Sequence, residues 1–135
     1  MSKNTDLVRK LTERAFLGGD LGAVDELVSD DFVDHDPVPE MPANKAGFRQ
    51  SAEMVVGGLS DRGMDFDEYL EAKDGRVVEN WLFTGTHSGE FAGMPPSGQA
   101  VRIRGTEIWR CDGGKVVEHW GTIDMSDLFQ KAMGS

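Results

Sequence analysis

The chain has 135 residues, of which 39% are hydrophobic and 28% charged, and it carries a formal charge of −10. That length suits one domain, residues 1–135, built on a single core, and the composition argues against disordered and membrane-embedded classes. The acid excess argues against nucleic acid, because Arg102 and Arg104 alternate along a strand pattern and form no phosphate-binding cluster.

Residues 4–18 place Leu7, Val8, Leu11, Ala15 and Phe16 at helical spacing, with Asn4 or Thr5 to cap the start and Gly18-Gly19 to end it. This stretch lacks the unbroken apolar core of a signal peptide. Asp20 caps a shorter helix carrying Leu21, Val24, Leu27 and Val28. Residues 32–36 read as a brief strand that Pro37, Pro39 and Pro42 terminate, since proline lacks the donor a ladder needs. From Asn44 a third helix would bury Phe48, Ala52, Val55, Val56 and Leu59. The pattern then changes. Residues 64–73 and 76–87 form a hairpin across Asp74-Gly75, residues 88–98 a glycine- and proline-rich loop, and residues 100–111 and 115–124 a second hairpin. Residues 126–132 fit a last helical turn or two. Helices first and antiparallel strands later predict an α+β fold with the helices on one face of a curved sheet.

The reactive side chains concentrate in the last strand pattern. Strand parity puts Glu118, Trp120, Thr122 and Asp124 on one face and His119, Gly121 and Ile123 on the other. Trp120 is large and suits an interior wall; if it is inside, Asp124 is inside too, where poor solvation would raise its pKa toward the range useful for proton transfer. In the structural alternative Trp120 is core, Glu118 pairs with Arg102 or Arg104, and Asp124 caps the final helix. His119 serves as base or shuttle only if a bulge turns it inward, and otherwise lies beneath the helices or at a subunit contact. Glu107 shares a face with Ile103 and Trp109 and is either a ligand-facing acid or half of a buried pair. His35 sits among Asp34, Asp36 and Glu40, as an acid/base partner or in a solvated acidic corner. His87 ends its strand beside the glycine-rich loop. No two histidines have local metal-ligand spacing, and the single Cys111 permits neither a zinc site nor an intrachain disulfide.

Gly85-Thr86-His87-Ser88-Gly89-Glu90-Phe91, then Gly93-Met94-Pro95-Pro96-Ser97-Gly98, Trp109-Arg110, and Gly114-Lys115-Val116-Val117-Glu118-His119-Trp120 with Asp124 resemble the SnoaL-like polyketide cyclases. The resemblance implies the cone-shaped α+β barrel of the nuclear transport factor 2 superfamily, wrapped around a hydrophobic pocket. It also implies an aspartate late in the chain as acid/base for an intramolecular aldol ring closure without metal or cofactor, and Asp124 is the nearest match. His35-Asp36-Pro37-Val38 is similar to the segment in which ketosteroid isomerase carries its base, which points to Asp36.

Sequence and resemblance together predict a cofactor-independent enzyme moving protons on a small hydrophobic, carbonyl-bearing substrate. Asp124 is the expected acid/base, with His119, Glu107 and His35 as partners. Phe16, Asp36, Trp81, His87, Phe91, Met94, Trp109 and Trp120 are the expected substrate contacts. The alternatives are an epoxide hydrolase-like or isomerase-like enzyme and a non-catalytic small-molecule-binding or dimerisation module. Apolar outer positions at Leu82, Ile108 and Val117 predict a homodimer or larger assembly. The expected setting is cytoplasmic, with no membrane partner.

Overall fold

Ser2 opens the first helix by accepting a hydrogen bond from the Thr5 amide at 3.0 Å, ahead of the caps expected at Asn4 or Thr5. The structure is a computed structural model and describes residues 2–134. Helix α1 (Lys3–Leu11) buries Val8 and Leu11 and then widens into a π-helical stretch, Thr12–Leu17. The widened end frees carbonyls, and Arg62 collects those of Phe16 (2.9 Å) and Leu17 (3.2 Å), its guanidinium also donating to the Leu59 oxygen at the start of its own strand (2.8 Å). Helix α2 (Gly22–Leu27) leads directly into β1 (Val28–Asp34), so this strand starts earlier than expected and ends before His35. Asn44 caps α3 (Lys45–Gly58) as predicted, its side chain accepting from the Gly47 amide at 3.1 Å.

The sequence-predicted hairpins form as β2 (Leu59–Glu71) with β3 (Val77–His87), and β4 (Ala100–Asp112) with β5 (Lys115–Asp124); α4 (Ser126–Met133) closes the order. The five strands lie in the order β1-β5-β4-β3-β2, with β1 parallel to β5 and every other pair antiparallel. β1 and β2 do not pair, so the sheet is curved and open rather than a closed barrel. The fold is α+β.

Two apolar clusters fill the interior. One joins Val8, Leu11, Phe32, Phe48 and Trp109; the other joins Leu59, Trp81, Phe83, Phe91, Ile103 and Leu128. Leu82, expected on an exposed face, is buried.

Register sets two rows across the inner face. Tyr69, Glu79, Glu107 and Gly121 oppose one another on β2 to β5, and in the adjoining row Val77, Trp109, His119 and Asp34 do so on β3, β4, β5 and β1. Asp34 and His119, far apart in sequence, meet because β1 adds to the sheet beside β5.

Candidate active site

A pocket of about 100 Å³ opens between the sheet and the helices. Roughly 10–15 Å³ on this scale holds one water, so the space admits a molecule rather than a few solvent sites. Its wall is apolar: Phe48 and Val55 project from one face of α3, Phe16 from the π-helical stretch, and Trp81, Phe83 and Ile103 from the sheet. Polar groups gather where β1, β4 and β5 meet, namely Asp34, Asp36, Glu107 and His119. An apolar cleft with a few convergent polar groups is the usual form of a small-molecule site.

His119 organises the polar end. Its Nδ1 lies 2.8 Å from Asp34 Oδ1 and its Nε2 2.9 Å from Glu107 Oε1. Each nitrogen faces a carboxylate, an acceptor, so the ring donates from both and is the imidazolium. Burial alone would push its pKa down, but the hydrogen bonds to Asp34 and Glu107 outweigh it and raise the pKa to about 10. A ring that stays protonated at neutral pH is a donor and a fixed positive charge, not a base.

The neighbours are tied in turn. Glu107 Oε2 accepts from Trp81 Nε1 at 2.9 Å, and Asp34 Oδ1 also accepts from the Asp36 amide at 3.0 Å. Asp36 accepts from the Gly121 amide at 2.8 Å and stands exposed at the pocket rim. Behind Glu107 the fully buried Glu79 accepts from the Tyr69 hydroxyl at 3.0 Å and from Trp109 Nε1 at 3.2 Å. Burial pushes the Glu79 carboxyl well above its ordinary range, reinforced by Glu107 and Asp67. Among the described residues no group of three or more His, Cys, Asp or Glu is arranged to hold a metal ion.

The sequence matches the SnoaL-like polyketide cyclase family over residues 6–132. The chain belongs to that family. No curated protein is matched by the sequence. Among solved structures it is similar to AclR, a proposed hydroxylase from Streptomyces galilaeus, at 27% identity over 98% of this chain and 82% of that one, with a TM-score of 0.81. It is also similar to wild-type IdmH, a proposed polyketide cyclase from Streptomyces antibioticus, at 26% identity, 96% and 98% coverage and a TM-score of 0.78. A SnoaL-like protein from Jannaschia sp. CCS1 shares the fold at 18% identity, 98% and 93% coverage and a TM-score of 0.83.

Within this SnoaL-like chain several expected positions meet at the pocket. Glu107, His119, Asp36, Phe16, Trp81 and Phe91 all line it, and Asp34, read from the sequence only as one of the acids around His35, joins them. A register shift in β5 between Val116 and Glu118 precedes His119, and from Glu118 onward the strand alternates so that the His119 face, not the Trp120 face, lines the pocket. The expected placement of Asp124 and Trp120 inside is therefore corrected. Asp124 is exposed on the opposite face and bonds the Ser126 amide at 2.9 Å, which, with the Ser126 hydroxyl, holds its carboxyl below the usual range. Trp120 stacks on His35, with ring centroids 4.7 Å apart and planes at 6°.

His35 points away from the pocket as well. Its Nε2 lies 2.7 Å from Glu118, which also binds Arg110 rather than Arg102 or Arg104, and the two partners hold the Glu118 carboxyl below its usual range. Trp109 lies under His119 in the core, 4.4 Å between ring centroids, rather than on the wall. His87 is buried beyond the pocket, bonded to Ser97, and Met94 packs against the second cluster. No helix among the described residues is long and apolar enough to cross a membrane.

Proposed function

We propose that the chain is a cofactor-independent acid/base enzyme that closes a ring in a hydrophobic, carbonyl-bearing substrate by intramolecular aldol addition, with Glu107 as the base. The observation that carries this reading is the Asp34, His119, Glu107 chain at the polar end of an apolar pocket. Glu107 takes a proton from the carbon next to a carbonyl, and the bonding pair moves into that carbonyl as an enolate. The enolate carbon attacks a second carbonyl of the same molecule, and the alkoxide so formed recovers the proton from Glu107. His119 keeps its own protons throughout; its charge steadies the developing negative charge, and Asp34 orients it.

The test is Glu107→Gln. General-base catalysis contributes about 10²–10⁴-fold, so the variant should lose turnover of a polyketide-type diketone, and exchange of its α-proton for solvent deuterium, by that range. Exchange at the wild-type rate would reject Glu107 as the base.

One second reading rests on the two carboxylates that line the pocket, in which Glu107 and Asp36 position water for epoxide opening. Product formed in ¹⁸O-water separates the two, because opening incorporates the label and aldol closure does not. We also propose a homodimer formed through the outer face of the sheet, where Leu70, Val78, Ile108 and Trp120 make a continuous row. Light scattering checks it; a mass of one chain rejects it.

A further inference from the structure

Glu79 takes no part in the proton transfer proposed above, yet it is fully buried one strand away from the base. It stands directly opposite Glu107 on β4 and Tyr69 on β2. Two indoles cross between these strands. Trp81 on β3 donates to Glu107 on β4, and Trp109 on β4 donates back to Glu79 on β3. Trp109 is in turn directly opposite His119, and the imidazole rests on its ring at a 43° tilt. The bond to Glu79 is the one hydrogen bond an indole can make, so it fixes the rotation of the surface on which His119 lies.

We propose that Glu79 is a positioning residue for the Glu107 and His119 pair, holding Trp109 so that the imidazole keeps both of its hydrogen bonds. The inference rests on the reading of that pair as the acid/base machinery. The groups facing Glu79 are Glu107 from β4 and Tyr69 and Asp67 from β2, with Arg9 of α1 lying over the Tyr69 ring at 4.8 Å. Both of its donors, Tyr69 and Trp109, are neutral. A second charge opposite Glu107 would be opposed by burial and by repulsion, so Glu79 does its positioning as the neutral acid.

The experiment is an NMR titration of the His119 imidazole nitrogens in the full chain, which needs no substrate. Glu79→Met removes the acceptor for Trp109; the His119 midpoint should fall by about one unit, roughly tenfold in proton affinity, and the Trp109 indole proton should exchange faster with solvent. Glu79→Gln restores a neutral acceptor and should return the midpoint to the wild-type value. Trp109→Phe should lower the midpoint as Glu79→Met does, and combining the two should lower it no further. A wild-type midpoint in folded Glu79→Met overturns the proposal, as does a Glu79→Gln midpoint as low as that of Glu79→Met, because charge rather than position would then be acting. If Glu79→Met does not fold, Trp109→Phe decides: a lowered midpoint supports the proposal and a wild-type one overturns it. Failure of Glu107 as base would appear in the turnover of Glu107→Gln while leaving these titrations unchanged, so the two readings fail separately.

Discussion

Gly121 lies directly opposite Glu107 across β4 and β5, and the space left by its missing side chain holds the bond from His119 to Glu107. A Cβ built there would come within 3.0 Å of His119 Nε2 and 3.1 Å of Glu107 Cγ. The backbone is ordinary extended strand, so alanine would act through this crowding alone. Gly121→Ala should lengthen the bond, lower the His119 pKa and cost about 1–3 kcal/mol of stability as overpacking. Chemical denaturation and a His119 titration measure the two effects; a wild-type titration would show that the bond tolerates the extra carbon.

Gly105 makes a similar allowance for Trp81, with less room. A Cβ there would fall 2.3 Å from the indole ring, which packs against this residue. Trp81 would have to leave its place and give up its bond to Glu107. Gly105→Ala should therefore destabilise more than Gly121→Ala, toward the upper end of roughly 1–3 kcal/mol, and should quench activity through Glu107. Tryptophan fluorescence of the folded variant would report the displaced ring; an unshifted spectrum would contradict the displacement.

The protonated ring ties stability to pH. His119 binds its proton more tightly folded than unfolded, with a pKa raised to about 10. Its contribution is complete below the ordinary histidine value of about 6.5 and is lost as pH rises through the window up to about 10. Glu79, also raised, has the same sign, since the folded chain prefers its protonated form and loses that preference as pH rises. Denaturation midpoints should fall from pH 7 to pH 9.5, and His119→Gln should flatten the slope across that interval. A slope equal to wild type in the variant would assign the pH dependence elsewhere.

The order of elements was legible because each hairpin carries its own turn chemistry: Asp74-Gly75 and Asp112-Gly113-Gly114 mark the reversals, and Asn44 marks a helix start. The parity of β5 was legible too, but its sense was not. Trp120 reads as an interior residue by size, whereas its burial comes from outside, from the stacked His35 and from Arg76 at 5.9 Å. Asp34 reads as one acid beside His35, and its bond to His119 was hidden for a different reason. It acquires its partner only when β1 docks parallel to β5, a long-range pairing that no local spacing records. Glu79 likewise looks like any strand carboxylate until register sets it opposite Glu107.

Asp124 separates the sequence reading from the geometry. Its side chain accepts from the Ser126 amide at the start of α4, on the face turned away from the pocket, beside Arg104, Thr106 and Thr122. Asp124→Asn keeps an acceptor for that amide, so it should leave both turnover and thermal stability close to wild type. Asp124→Ala removes the acceptor and should lower the melting temperature while sparing turnover, since the group lies fully exposed and outside the pocket. Turnover measured at saturating substrate on both variants, beside Glu107→Gln, is the comparison that matters. If Asp124→Asn lost activity as Glu107→Gln does, the outer face of β5 would have to reach the substrate, and the base would have to be sought there instead of at Glu107.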